Sequence, residues 1–188
     1  MKKTMSIVGK LRWMAAVSTL ILIAVSGYML LTQYQNSRRD REIAVRQTVE
    51  VGHSILAWAH QLETSGSHTR EQAQQMAHQA LQTVRYSGNE YFWLQDMNAR
   101  VVMHPFRPDL NGKDGSAIKD PDGKAIFVLF AQRAQKGDGG GLVEYQWPKP
   151  GQEKPAPKIS YVKGFAPWGW VLGSGVYADD LKTEFLSS

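Results

Sequence analysis

A run of nineteen uncharged residues, from Trp13 to Leu31, places the strongest constraint on how this chain folds. At 1.5 Å per residue a helix of that length spans about 30 Å, the thickness of a bilayer's hydrocarbon core. A core helix this long normally keeps a polar stripe, whereas only scattered Ser and Thr interrupt this run. A helix satisfies those hydroxyls on its own backbone. The sequence therefore predicts a transmembrane helix over residues 13–31.

The residues before this span form a basic flank, residues 1–12, with Lys2, Lys3, Lys10 and Arg12 and no acidic neighbour. Basic flanks stay cytoplasmic, so we expect a single-pass protein of the inner (plasma) membrane with its N-terminus in the cytoplasm. The later Arg38, Arg39 and Arg41 cluster lies further from the span and precedes a long domain, which translocates largely regardless of its charge. Everything after the span is then periplasmic.

A cleaved signal peptide is the alternative interpretation of the same segment. The tetrapeptide AVSG, residues 24–27, has the small-x-small form that a signal peptidase accepts. The apolar residues YMLL follow that site directly, which favours an uncleaved signal anchor.

Composition excludes several classes of protein. The net charge is +5, but the basic flank supplies most of the excess, and no basic face with interleaved aromatics is evident. We therefore predict no nucleic-acid partner. The absence of cysteine excludes disulfides, thiolate zinc sites, thiol catalysis and c-type haem attachment. With 43% hydrophobic residues, the chain is able to build a core.

Two helices follow the span. Apolar residues recur at helical spacing from Val45 to Leu62, which predicts an amphipathic helix continuous with the span. The stretch TSGSH, residues 64–68, breaks that helix, and Thr69 with Gln72 makes a capping box for a second one that Gly88 ends. The histidines of this region do not fit a metal site, because two are seven residues apart and no H-E-x-x-H pattern occurs: His53, His60, His68 and His78. We predict no cofactor.

Beyond Gly88 the pattern becomes extended. Five β-branched or aromatic runs bounded by turn residues predict strands at residues 90–95, 100–105, 141–147, 158–165 and 170–177. Short connections make the strands antiparallel, and an apolar stripe on Ile126, Phe127, Phe130 and Ala134 predicts a crossing helix between the second and third. The predicted fold class is α+β, with helices against a five-stranded antiparallel sheet.

Three segments carry a family resemblance: RYSGNEYFWLQDMNARVVMHP, GKDGSAIKDPDGKAIF and VEYQWPKPGQEKPAPKISYVKGFAPWGWVLGSGVYADDL. They resemble the single Cache sensor domain (type 2) of bacterial methyl-accepting chemotaxis proteins and sensor kinases, over about Gln33 to Leu181. The resemblance implies a PAS-like periplasmic domain at residues 32–181 that binds a small molecule, often a short carboxylate, between the sheet and a gating loop. It also implies a homodimer held by the first helix.

Complete receptors of this kind continue into a second span, a HAMP linker and a signalling domain. This chain ends at Ser188, so residues 182–188 are expected to form a tail before an absent second span.

A carboxylate site needs a cation, neutral donors and an apolar wall. Strand alternation puts Tyr91 with Trp93, Val101 with Met103, Tyr145 with Trp147, and Lys158 with Ser160 on shared faces, and Tyr161 opposite Lys158. We predict that the cation is Lys158 or Arg85. The predicted donors are His104, Tyr91, Tyr145 and Tyr161, and the predicted wall is Trp93, Trp147 and Met103.

Each of these residues also has a plainer role open to it. The aromatics are then core residues, Lys158 is a solvated strand lysine, His104 caps a strand end, and Arg85 complements a helix dipole.

Three classes of function follow. The leading hypothesis is a membrane-anchored sensor of a small organic acid, for chemotaxis or signal transduction. The second is an enzyme, which we do not predict. GDGGG at residues 137–141 lacks the strand-to-helix context that a phosphate loop requires, and the aspartates between Asp109 and Asp122 are typical of turns. The third is a dimeric interaction protein or truncated receptor remnant that binds no small molecule.

Overall fold

A computed structural model describes residues 6–177. The predicted tail at 182–188, the end of the predicted domain and the first basic residues of the flank lie outside this range. The chain divides into two compact units, residues 1–40 and residues 41–188. A single helix, α1 (Ile7–Thr64), begins in the first unit and ends in the second, as the predicted continuity requires.

In the first unit α1 is apolar and its side chains are exposed. An 18-residue window has a mean hydropathy of 2.1 and none of it is buried, which makes α1 the one described helix that is long and apolar enough to cross a membrane. Leu20, Leu22 and Ile23 are each more than half exposed. Length and composition thus agree with the predicted span.

The second unit is an α+β domain, which confirms the predicted fold class. The end of α1 is followed by α2 (Arg70–Thr83), and one further α-helix, α3 (Ile126–Ala134), crosses between strands. The strands are β1 (Arg85–Tyr86), β2 (Glu90–Asp96), β3 (Val101–Met103), β4 (Gly140–Pro148), β5 (Pro155–Phe165) and β6 (Trp170–Tyr177). They form an antiparallel sheet in the order β1-β2-β6-β5-β4, with β3 also paired to β2.

The sheet has six strands where the sequence predicted five. The additional strand, β1, covers only two residues, which is too short for an alternation of apolar and polar side chains to reveal it. Helix α2 correspondingly ends at Thr83, before the predicted stop at Gly88, because Val84 already has an extended backbone. Its predicted start is confirmed: Thr69 and Gln72 form the capping box.

One face of the sheet packs against α1 and α2. The buried residues of α1 recur on one side of the helix, as predicted: Val45, Val49, Gly52, Leu56 and Ala59. Gly52 permits the closest approach, since a Cβ there would lie 2.7 Å from the Phe92 ring. This helix-facing layer also contains Leu94, Met103, Tyr161 and Leu172.

The opposite face packs against α3 and carries a second core with Tyr91, Trp93, Phe127, Phe130 and Tyr145. An irregularity in the pairing of β2 with β3 lies at Leu94 and Gln95. It separates Val101, which lies in the α3-facing layer, from Met103, which lies in the helix-facing layer. The prediction that these two residues share a face is therefore wrong, because a bulge breaks the two-residue alternation.

Candidate ligand-binding site

Lys158 is the only lysine among the described residues that is buried, with 1% of its surface exposed. Strand β5 places Lys158, Ser160 and Val162 on the α3-facing side, as alternation predicts. The ammonium Nζ lies 4.1 Å from the centre of the Tyr91 ring and 4.4 Å from that of Tyr177. Burial lowers the pKa of Lys158 to about 8, and the nearby Glu90 acts in the opposite direction.

Two oxygen atoms approach the ammonium. The Tyr177 hydroxyl lies 3.4 Å from Nζ and itself donates to the Pro148 carbonyl. The Glu90 carboxylate Oε2 lies 3.9 Å from Nζ, beyond the usual range of a hydrogen bond. Lys158 is thus attracted by a carboxylate that does not touch it closely.

His104 supplies a neutral donor. Its Nδ1 accepts a hydrogen bond from the Arg107 backbone N–H at 3.1 Å, which assigns the ring proton to Nε2. Burial, followed by the positive charges of Lys158 and Arg107, lowers the pKa of His104 to about 3. The imidazole therefore stays neutral at physiological pH and presents one N–H.

A small cavity lies between α3 and the sheet. It offers about 10 Å³ to the centre of a water molecule, which is room for about one water. Its walls are mostly aromatic: Trp93, His104, Ile126, Phe127, Phe130, Tyr145 and Trp147. The Tyr145 hydroxyl hydrogen bonds to Ser160 Oγ at 3.0 Å, and the buried indole N–H of Trp93 has no acceptor among the described residues.

The polar groups around this cavity are mainly donors. His104 and Trp93, which carry an imidazole N–H and an unsatisfied indole N–H, line the cavity, and the Lys158 ammonium lies 5.9 Å from the centre of the Trp93 ring. Donors that converge in a poorly solvated space favour a ligand with negative charge and several acceptor atoms. The arrangement suits a small oxyanion with a short apolar body.

Six of the nine predicted site residues are brought together here: Tyr91, Trp93, His104, Tyr145, Trp147 and Lys158. The other three lie elsewhere. Met103 and Tyr161 belong to the helix-facing layer, and the Tyr161 ring lies 5.8 Å from the Arg46 guanidinium. Arg85 is exposed, donates to two carbonyls at the end of α2, and stacks on Phe106. Alternation already placed Tyr161 opposite Lys158.

The sequence prediction missed several residues of this region. Phe127 and Phe130 were predicted only as the core stripe of α3, and Tyr177 only as the end of a strand. Glu90 is the first residue of β2, and a carboxylate is not the residue type that a search for an anion site selects. Only the register of β2, β6 and β5 shows that Glu90 and Tyr177 reach Lys158. Phe127 and Phe130 line the neighbouring cavity from α3.

Comparison with known protein families identifies the same sensor-domain family that the sequence resembles. The model of the single Cache domain 2 family matches residues 37–188, most of the chain. The chain belongs to this family. Its described domain is a Cache sensor domain of the kind found in chemotaxis receptors.

Two curated relatives place Cache domains of this kind in signalling proteins. The chain is 40% identical over 97% of its length to the methyl-accepting chemotaxis protein McpP of Pseudomonas putida. It is 29% identical over 80% of its length to the sensor histidine kinase MctS of Rhizobium johnstonii. These alignments cover 34% and 32% of the relatives, so the chain spans about a third of their length.

Two solved Cache structures superpose well. One, from a study of carboxylic acid recognition by a Cache chemosensory domain, has a TM-score of 0.74 and 44% identity, and it covers 77% of this chain and 98% of that one. The other, described as the periplasmic sensor domain of a chemotaxis protein, has a TM-score of 0.73 and 42% identity, with 75% and 97% coverage.

Proposed function

We propose that this Cache domain is an extracytoplasmic sensor that binds a short organic acid, with Lys158 as the cation that receives the carboxylate. One observation carries the proposal: the buried ammonium of Lys158 lies against the Tyr91 and Trp93 rings, and Trp93 lines a cavity with aromatic walls together with His104, which carries a neutral N–H. A relative at 44% identity comes from a study of carboxylic acid recognition, which supports the same ligand class here. The role is binding, not catalysis.

The size of the cavity favours the smallest acids. A ligand of four non-hydrogen atoms needs more room than the 10 Å³ between α3 and the sheet. Binding therefore has to move Phe127 or Phe130 outward, or the segment from His104 to Ala125 that precedes α3. Each added methylene costs further displacement of packed aromatic rings. Acetate, propionate, pyruvate and lactate are the acids of suitable size, and dicarboxylates bring a second charge to an apolar wall.

Calorimetry and thermal shift measurements on the full chain in detergent test this proposal. We expect one or more short monocarboxylates to raise the melting temperature in proportion to ln(1 + [L]/Kd) and dicarboxylates to have little effect. Lys158→Met should greatly reduce the shift at a given acid concentration, whereas Lys163→Met, on the same strand but facing the other way, should retain it. A folded domain that none of these acids stabilises would contradict the proposal.

We further propose that residues 13–31 anchor the domain in the inner membrane, with the N-terminus cytoplasmic and the sensor domain periplasmic. The exposed apolar surface of α1 and the basic flank support this topology. Because the chain has no cysteine, single-cysteine variants report it directly. A membrane-impermeant maleimide should label Ser65→Cys in intact cells and Ser6→Cys only after lysis. The opposite pattern would reverse the orientation.

A homodimer through α1 is the third part of the proposal. Val51 and Trp58 are 67% and 47% exposed, and seven residues place them on the same side of the helix. Disulfide cross-linking of Val51→Cys tests this contact. Cross-linking without any response to carboxylates would favour the alternative function, a dimeric interaction module that binds no small molecule.

A further inference from the structure

Glu90 and Lys158 are oppositely charged and buried together. Glu90 is 7% exposed at the start of β2, Lys158 is 1% exposed on β5, and 3.9 Å separates Oε2 from Nζ. Within residues 6–177, Glu90 provides the carboxylate that lies within 4.0 Å of this ammonium. Burial raises the pKa of the Tyr86, Tyr91 and Tyr145 hydroxyls, and the negative charge of Glu90 adds to this, so Glu90 acts on groups other than Lys158.

Among the residues that the structure describes, the other groups that contact Lys158 carry no formal charge at neutral pH. Strand β2 contributes Tyr91, and β6 contributes Tyr177. The Tyr145 hydroxyl of β4 bonds to Ser160, and the imidazole that follows β3, His104, is neutral. The burial of Lys158 favours the neutral amine, and Glu90 opposes that tendency.

The separation of the pair gives this carboxylate a particular role. A salt bridge at 2.7–3.0 Å would occupy an N–H of the ammonium. At 3.9 Å the Coulomb attraction persists although Glu90 occupies none of the Nζ donors, one of which donates to the Tyr177 hydroxyl at 3.4 Å. Glu90 therefore attracts a positive charge without blocking the atoms that a ligand would contact.

We infer that Glu90 is a positioning residue that keeps Lys158 in its ammonium form before ligand binds, so that a carboxylate meets a preformed cation. This inference rests on the proposed function for its biological meaning. Glu90 also repels the ligand, because both are anions in a poorly solvated site. The effect of Glu90 on the charge of Lys158 changes binding only where Lys158 titrates, whereas its repulsion of the ligand persists at lower pH. Binding measured at two pH values therefore separates the two effects.

The protonation of Lys158 can be measured without any ligand. In the full chain labelled with 13C-lysine and held in detergent, the resonance that Lys158→Met removes should titrate well below the exposed lysines. In Glu90→Gln the same resonance should titrate about one pH unit lower still, and Glu153→Gln, in the exposed turn between β4 and β5, should leave it unchanged. An unchanged titration in Glu90→Gln would overturn the inference.

Propionate binding supplies the second readout. At pH 6, where both proteins carry the ammonium, Glu90→Gln should bind at least as tightly as the wild type because the repulsion is gone. At pH 8.5 Glu90→Gln should bind propionate about tenfold more weakly than the wild type, because a smaller fraction of its Lys158 is charged. Parallel pH profiles for the two proteins would overturn the inference, since a merely structural role of Glu90 changes affinity equally at both pH values.

The two readouts separate the inference from the proposed function. Wild-type protein that binds no short acid at any pH, but whose Lys158 titration depends on Glu90, contradicts the function alone. If Glu90→Gln does not fold, Glu90→Asp replaces it: a shorter side chain sets the carboxylate further from Nζ, so the Lys158 titration should move to lower pH than in the wild type. An unmoved titration in a folded Glu90→Asp protein overturns the inference.

Discussion

The ammonium of Lys158 lies 4.1 Å from the centre of the Tyr91 ring, although their strands, β5 and β2, are not neighbours in the sheet. Strand β6 runs between them and presents Gly173 and Gly175 at this level. A Cβ on Gly173 would overlap the Trp93 indole, and one on Gly175 would overlap Ser160 Oγ and lie 3.0 Å from Lys158 Cε. Two glycines thus make the groove in which side chains from both flanking strands meet.

Replacing Lys158 tests the cation. Lys158→Met should weaken binding of a short monocarboxylate by about tenfold to a hundredfold, because one charge-assisted hydrogen bond contributes about 1.5–3 kcal/mol. Stability should change little if Glu90→Gln is added, since a buried ion pair is often replaceable by apolar groups. Calorimetry against Lys163→Met measures the effect. Equal affinities in the two variants would show that Lys158 is not the cation.

Filling the groove tests the role of the β6 glycines. Gly173→Ala should destabilise the domain by about 1–3 kcal/mol, because its methyl group overlaps the Trp93 indole. Trp93→Phe removes the overlapping atoms, so the double variant Gly173→Ala/Trp93→Phe should recover part of that loss. Urea denaturation followed by circular dichroism gives the change in unfolding free energy for each single variant and for the double variant. Strictly additive effects would contradict direct contact between the two sites.

Acid should destabilise the domain through His104. The pKa of this imidazole falls from 6.5 to about 3 on folding, so the unfolded chain binds the proton first as the pH falls. The contribution of neutral His104 to the free energy of unfolding is complete above pH 6.5. It is lost as the pH falls toward 3, at about 1.4 kcal/mol per pH unit. The pKa of the half-buried His53 is also lowered by burial and acts in the same direction.

Unfolding free energies at pH 7 and pH 5 measure this dependence. His104→Gln keeps a neutral N–H and should be less stable at pH 7 but should lose about 2 kcal/mol less on acidification than the wild type. His68→Gln, in the loop between α1 and α2, serves as the matched control for the loss of one imidazole. An equal slope in both variants would show that His104 is not buried as a neutral ring.

The exposed side of α1 predicts which substitutions separate a dimer. Val51→Glu or Trp58→Glu places a charge in an apolar contact and should shift the protein toward monomer in sedimentation measurements. Ala57→Glu is the matched control, because Ala57 is exposed on α1 but lies about 100° around the helix from Trp58. If Ala57→Glu alone produces monomer, the contact lies on a different side of α1.

The secondary structure was largely predictable because its signals are local. The capping box at Thr69 and Gln72 requires only three residues of spacing. The crossing helix is predicted by the apolar stripe that includes Phe127 and Phe130. The misassigned face of Met103 has a local cause too, since one bulge reverses every later side chain in a strand.

The sequence by itself determined the apolar span, the start of α2, the α+β class and the alternation of faces along β5, because periodicity and capping act between near neighbours in the chain. Only the tertiary structure decided that Lys158 meets Tyr91 and Glu90 while Arg85, Met103 and Tyr161 lie elsewhere. Those contacts join residues about 70 positions apart, and they depend on strand order, on one bulge and on two glycines of β6. Periodicity within a strand carries no information about which other strand lies beside it.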